Sequence, residues 1–254
     1  MLFRSAPTPV TALLAMASKA AGIAVFMRVL YTAFIFIGQS WLPLLAFFAA
    51  LCMIGGNLMA IRQTDVKRML AYSSVAQAGY MMAGMAAVDY VGMKAVMFYA
   101  MLYVFANVGA FAVLTAVDAE RGGTTHRHLT GLSQSAPLLA AVMTVSLLSM
   151  AGIPPTAGFA GKIYIFTAAV DQGYLWLAFI GFVMSMISVY YYLLVAKAMY
   201  RDLAPEEEHF AAPLHVPVFL RLTVLLSVVA TLGIGICPEF LANMTNIVSQ
   251  TFMR

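Results

Sequence analysis

Seven apolar stretches, near 9–30, 42–61, 69–88, 92–117, 136–170, 174–200 and 216–237, take up most of the 254 residues. A helix needs about 20 predominantly apolar residues to cross ~30 Å of hydrocarbon. Inside lipid, each backbone N–H and C=O needs a partner in its own segment or in a closed barrel, so runs of this length fold as helices. Hydrophobic residues make up 63% of the chain and charged residues 9%, against about 45–50% and 25% in soluble domains. The expectation is an all-α polytopic membrane protein of about seven transmembrane helices, forming a single transmembrane domain over 1–254. Arg4 is followed by Ala-Pro-Thr-Pro at 6–9 rather than by a short apolar core and a cleavage site, so no signal peptide is expected.

The fifth stretch cannot be one straight helix. Its 35 residues would rise about 52 Å. Within it, Gly152, Pro154, Pro155, Gly158 and Gly161 fall inside ten positions. Consecutive prolines remove backbone donors and disfavour helical geometry in the preceding residue, so a discontinuous helix broken over 152–161 is expected. Non-helical backbone at membrane depth is tolerated only where protein buries it or water lines it. Transporters place ion and substrate sites at such breaks.

Basic residues set the expected orientation. With a cytoplasmic N-terminus, Arg4, Arg62, Lys67, Arg68, Arg121, Arg127, Lys197, Arg201 and Arg221 fall inside, while Arg28, Lys94 and Arg254 fall outside. That is a clear positive-inside bias, and it puts the C-terminus outside. The run Glu206-Glu207-Glu208 reads as a solvated linker in a cytoplasmic loop.

Two cations are left at membrane depth. Lys19 is the only charge between Val10 and Met27, and Lys162 is the only charge between Ala151 and Val170. A cation at the bilayer centre costs at least about 2.5–3.5 kcal/mol, so such residues mark ion, proton or ligand pathways. Lys19 lies ten residues past Pro9, about 15 Å along a helix and near the midplane. Burial disfavours its ammonium form, which suits a group that loads and unloads protons. The competing role is a structural lysine bonded to carbonyls of a broken helix. Lys162 follows Gly161 in the first turns of the half-helix after the break, where the positive end of the helix dipole also disfavours an ammonium. It too is a candidate carrier. Asp and Glu occur only at loops or span ends, so neither lysine has an acidic partner at depth within this chain.

Between the lysines lie Ser73, Ser74, Gln77, Tyr80, Tyr99, Tyr103 and Asn107. Ser74, Gln77 and Met81 share one helical face, as do Tyr99, Tyr103 and Asn107. These residues are candidates for a water-assisted proton relay, or for hydrogen bonds that join helices. Tyr190-Tyr191-Tyr192 reads as helix packing. Cys52 and Cys237 lie in apolar runs without metal-ligand spacing and are expected to be buried, inert thiols. His126, His128, His209 and His215 fall in expected loops, so no metal or haem site is expected. There is no Gly-rich phosphate loop, Ser/His/Asp set or cysteine cluster for iron–sulfur binding. Any redox step belongs to partner subunits, and the net charge of +4 carries no argument for nucleic acid.

Several motifs together resemble a known family. Ala6-Pro7-Thr8-Pro9-Val10 leading to Ser18-Lys19-Ala20 is similar to the opening of the eighth helix in the antiporter-like membrane subunits of proton-pumping NADH–quinone oxidoreductase, respiratory complex I. So are Gly56-Asn57-Leu58-Met59-Ala60, Gln63-Thr64 and Lys67-Arg68-Met69-Leu70-Ala71-Tyr72-Ser73-Ser74. Leu148-Ser149-Met150-Ala151-Gly152-Ile153-Pro154-Pro155-Thr156, with Gly158-Phe159 and Gly161-Lys162, is a third match, and Tyr190-Tyr191-Tyr192-Leu193 a fourth. The Ser-Lys and Phe-x-Gly-Lys forms look most like the subunit-N branch. Sodium/proton antiporter subunits share the Lys-Arg-x-Leu-Ala-Tyr-Ser-Ser signature.

The resemblance implies helices eight to fourteen of a fourteen-helix subunit built from two inverted five-helix repeats. On that mapping 9–30 is the central-lysine helix, 42–200 holds the second five-helix repeat and 216–237 is the final helix. Lys19 matches the family's central lysine and Lys162 the lysine of the second broken helix, at the proton-exit side. The matching position for the family's membrane glutamate lies in helices one to seven, a missing N-terminal half. The implied activity is proton translocation coupled to electron transfer from NADH to quinone. NADH, FMN, iron–sulfur clusters and quinone are then expected on partner subunits of a hetero-oligomeric complex in the inner (cytoplasmic) membrane of a bacterium. A sodium/proton antiporter subunit and a non-conducting structural half-subunit are the alternatives.

Overall fold

The computed structural model of this protein describes residues 6–87, 89–205, 207, 210, 212–239 and 241–245. Arg4, Glu206, Glu208, His209 and Arg254, which entered the readings of orientation, linker and loops, lie outside the described residues. Each expected stretch is helical. The long helices are α1 (Thr8–Thr32), α2 (Gly38–Ile61), α3 (Val66–Met85) and α4 (Tyr90–Arg121). Two single turns follow, α5 (His126–Leu129) and α6 (Leu132–Ser135). Then come α7 (Pro137–Ala151), α8 (Ala157–Asp171), α9 (Leu175–Tyr200) and α10 (Val218–Ile236). Among the described residues the only β-type pairing is an isolated bridge between Asp65 and Thr125.

Helices α1, α2, α4, α9 and α10 are long and apolar enough to cross a membrane. The expected count of seven does not follow on that measure. Lys67, Arg68, Ser73, Ser74 and Gln77 make α3 too polar, and α7 and α8 have only 15 residues each, about 22 Å of helix. As expected, the fifth stretch is two half-helices. The break itself is shorter than 152–161: it spans 152–156, and Gly158 and Gly161 sit inside α8. Gly152 closes α7 in the left-handed region at φ 84°, a conformation open to glycine at no steric cost.

Local chemistry sets the other ends. Asp65 caps α3 by accepting from the Arg68 amide at 3.0 Å, and Asp89 caps α4 through the Gly92 amide at 2.6 Å. Such caps satisfy donors that a helix start leaves bare. Glycine also sets how closely helices pack. A Cβ at Gly56 would fall 2.5 Å from the Ala76 nitrogen, and one at Gly79 would fall 2.8 Å from the Ala49 carbonyl oxygen. Small residues at both points let α2 and α3 meet backbone to backbone, the packing mode that serves where lipid removes any hydrophobic drive between helices.

Helix α4 is the axis of the bundle. It touches α1, α3, α7, α8 and α10 and is the most buried of the five span-length helices, with α1 and α10 the least. Arg121, at its last turn, ties the loops at that end together. Its guanidinium donates to the carbonyls of His128 (2.6 Å), Thr130 (2.9 Å) and Phe210 (2.8 Å) and to Ser135 Oγ (2.7 Å).

Three smaller expectations change. Cys52 is half-buried and Cys237 exposed, because an apolar run places a residue in the membrane and not necessarily inside the protein. His126 and His128 lie on the short helix α5 rather than in a loop. The three tyrosines part company: Tyr191 and Tyr192 are buried, whereas Tyr190, 58% exposed, faces outward.

Candidate functional site

The break in α7–α8 exposes the carbonyls that end α7, since the last turn of a helix has no intrahelical donors for them. Lys162 satisfies these carbonyls. From the second turn of α8 its Nζ reaches back to the Met150 carbonyl at 2.9 Å and the Ala151 carbonyl at 2.8 Å, and donates to Ser185 Oγ on α9 at 2.7 Å. These three acceptors match the three donors of an ammonium. Ser185 Oγ donates in turn to the Ala151 carbonyl at 2.9 Å. The Tyr80 ring lies below the amine, 4.8 Å from Nζ to centroid, where a cation gains from the π face.

This geometry corrects one expectation. Lys162 belongs to the N-terminal turns of α8, but its charge rests on the C-terminal carbonyls of α7, the negative end of a helix dipole, which offsets part of the cost of burying a cation. Gly152 makes this placement possible: a Cβ there would lie 2.8 Å from Lys162 Cδ and 3.3 Å from Nζ. Gly158 and Gly161 serve contact as well. A Cβ at 158 would fall 1.8 Å from the Ser149 carbonyl oxygen, and one at 161 would fall 2.6 Å from Tyr99 Cδ2. Pro154 and Pro155 sit at the centre of the interruption.

Lys19 is the twelfth of the 25 residues of α1, and its side chain turns from the outer face of the bundle toward α3. Its Nζ donates to Ser74 Oγ, which itself donates to the Ala71 carbonyl at 2.6 Å. The Tyr103 hydroxyl from α4 binds the Ala15 carbonyl of α1 at 2.8 Å, fixing the helix that carries Lys19. Bonds to broken-helix carbonyls, the structural role weighed for Lys19, are made by Lys162 instead. Among the described residues no carboxylate pairs with either lysine; the one ion pair there is Arg201–Glu207, at 2.7 Å.

Gln77 ties α3 and α4 to the Lys162 site. It lies one turn beyond Ser74 on α3, fully buried. Its Oε1 accepts from the Tyr99 hydroxyl, and its Nε2 donates to the Met150 carbonyl at 3.1 Å. That carbonyl is one of the acceptors of Lys162. The candidate relay residues Ser74, Gln77, Tyr99 and Tyr103 thus lie along a line between Lys19 and Lys162 that is bonded at each end and open between Ser74 and Gln77, which share no hydrogen bond among the described residues. Asn107 joins its edge: Nδ2 donates to the Tyr103 carbonyl at 2.8 Å, while Oδ1 is buried with no partner among the described residues. A cavity of about 10 Å³ lined by Tyr99, Tyr103, Ser149, Met150 and Gly158 adjoins this line, about the room one water needs.

Sequence reasoning missed Ser185, whose only signal is a small hydroxyl within the apolar first half of its helix. It also left Asn57 as a motif residue without a role. Asn57 is buried at the centre of a second hydrogen-bond set, accepting from the Tyr191 hydroxyl at 2.9 Å and donating to the Met53 carbonyl at 2.7 Å. Among the described residues no group of His, Cys, Asp and Glu is placed to hold a metal ion.

An all-helical bundle with one helix broken at membrane depth and a buried lysine capping the break defines the antiporter-like class of integral membrane proteins. Residues 2–188 match the family described as NADH:quinone oxidoreductase/Mrp antiporter, TM, and the chain belongs to that family. The chain is 51% identical over 251 residues to NADH-quinone oxidoreductase subunit N of Heliobacterium modesticaldum, covering 98% of this chain and 52% of that protein. The chain spans about half the length of the curated relatives it matches. A chain of respiratory complex I from Thermus thermophilus with bound aureothin superimposes with a TM-score of 0.80 at 33% identity, over 95% of this chain and 52% of that one. A chain of the Mrp complex from Dietzia sp. shares the fold, with a TM-score of 0.88 at 22% identity, over 99% of this chain and 54% of that one.

Proposed function

We propose that this chain is the C-terminal half of a subunit-N-type membrane subunit of NADH–quinone oxidoreductase and carries protons between Lys19 and Lys162. One observation carries the reading: Lys19 bonds to Ser74, and one helical turn along α3 Gln77, bonded to Tyr99, meets the Met150 carbonyl shared with Lys162. A proton moves along such a line only if each group can both take and give one. Serine and tyrosine hydroxyls do so directly. The Gln77 amide and the Met150 carbonyl are not carriers and serve to hold the line in place, so the proton passes from Ser74 to Lys162 through water in the cavity beside Tyr99, Tyr103 and Met150. Lys162 then holds the proton as an ammonium on three acceptors and releases it as an amine when the surrounding potential changes. Charge moved elsewhere in the complex provides that change, since a buried amine responds strongly to nearby charge.

Electron transfer lies on other subunits, which hold NADH, FMN, iron–sulfur clusters and quinone. The domain reading follows the same mapping: 9–30 as the central-lysine helix, 42–200 as the second five-helix repeat and 216–237 as the final helix. The basic bias puts the N-terminus in the cytoplasm and the C-terminus outside, in the inner membrane of a bacterium. The test is Lys162→Ala in the native complex, with proton output and quinone reduction measured in the same vesicles. The expected result is lost or lowered proton output with quinone reduction largely kept. Normal output would remove the carrier role.

A further inference from the structure

Helix α10 is built inside out for a packing helix. Its exposed residues are large and apolar, Leu226 at 70% and Val229 at 66% exposure, while its buried residues are Val224, Ser227 and Thr231. One turn on, Gly235 lies against the break, where a Cβ would fall 2.5 Å from the Pro155 carbonyl oxygen. The buried stripe is therefore of small side chains, two of three polar, and it runs along α4 and α7 to the interruption that holds Lys162.

Interhelical glue does not account for it. Hydroxyls join helices by bonding across the interface, and only Ser227 does so, donating to the Phe105 carbonyl at 2.8 Å. Thr231 Oγ1 on α10 and Ser146 Oγ on α7, each 1% exposed, find no partner among the described residues. Buried polar groups that lack a protein partner are met by ordered water. Gly109 on α4 admits both hydroxyls to the helix: a Cβ there would lie 2.3 Å from Ser227 Oγ and 2.5 Å from Ser146 Oγ, so the two oxygens converge beside its backbone. Ser149, one turn after Ser146, lines the small cavity with Met150, whose carbonyl holds Lys162.

We propose that Ser146, Ser227 and Thr231 hold ordered water in the seam between α4, α7 and α10, joined through the cavity at Ser149 to the carbonyls that hold Lys162, as a second proton route to that lysine. The water site stands on these contacts alone, while its use as a proton route rests on the carrier role proposed for Lys162. This route approaches the break from α10 and meets the first at the cavity lined by Ser149, Tyr99 and Tyr103, which gives α10 a part in the site.

The experiment is a water-resolving cryo-EM map of the native complex, with proton output per electron, for the unmodified chain and for a Ser146→Ala, Thr231→Val variant. The expected result is ordered density between Ser146 and Thr231 that the variant loses, with a fall in protons moved per electron. An unmodified map with no density in that seam overturns the water site, and it decides the matter even where the variant fails to assemble. Density lost with unchanged proton output overturns the second route. Lys162→Ala separates the two readings: normal pumping there removes the carrier role and leaves the water density standing.

Discussion

Gln77 and Lys162 share one acceptor, the Met150 carbonyl oxygen, at 3.1 and 2.9 Å. An sp² oxygen has two lone pairs, so a single unpaired carbonyl at the end of a broken helix serves as the meeting point of two networks. The helix break creates that meeting point, because an intact α7 would bond the carbonyl internally.

Gln77→Leu therefore separates the networks without touching either lysine. It strips the Tyr99 hydroxyl of its acceptor and leaves Met150 one donor short. Each buried partner left unsatisfied costs about 1–3 kcal/mol, so the variant is expected to melt earlier as well as pump less. Proton output per electron in vesicles and a thermal melt of the solubilised complex check both. A variant that melts earlier but keeps full proton output would show that Gln77 is glue alone.

Two glycines test the packing at the break. A Cβ at Gly158 would sit 1.8 Å from the Ser149 carbonyl oxygen, a backbone atom that can yield only if α7 and α8 part. Gly158→Ala is expected to destabilise the chain and displace Lys162 from its carbonyls, with loss of assembled complex. Gly233→Ala meets nothing within 4 Å and is expected to be neutral, or to gain up to about 1 kcal/mol from the better helix former. Complex yield on native gels distinguishes the two. Equal yields would mean that the close approach at Gly158 is not needed.

Much of this arrangement was legible in the residues, and the reasons differ. The two lysines stood out because charge at membrane depth is costly enough to need a cause. The break stood out because proline and glycine act on the backbone locally. Ser74, Gln77, Tyr99 and Tyr103 were found by helical spacing, which gives a face but not what that face meets. The target of Lys162 was not legible: the fold turns its side chain back onto α7, a choice made by the left-handed Gly152 and by the bare carbonyls beside it. Ser146, Ser185 and Thr231 were passed over for a similar reason. A small hydroxyl in an apolar run is silent until a neighbouring helix meets it or fails to.

The loops at the Arg121 end carry a pH dependence of their own. Burial pushes His126 below its ordinary 6.5, partly countered by Asp65. Burial also pushes His128 down, with the Arg127 and Arg121 charges adding to it. Both imidazoles are thus held neutral in the folded segment, where His128 Nδ1 meets Thr125 Oγ1 at 2.6 Å. The unfolded segment binds protons more readily than the folded one, so stability rises with pH up to 6.5 and is lost as pH falls through that value toward the lower folded values. The segment 122–136 is expected to exchange its amide hydrogens faster at about pH 5 than at about pH 8, once intrinsic rates are divided out. His126→Gln with His128→Gln should flatten that difference while leaving the exchange of α4 unchanged. An unaltered difference in the double variant would mean that groups other than these two histidines set the acid response.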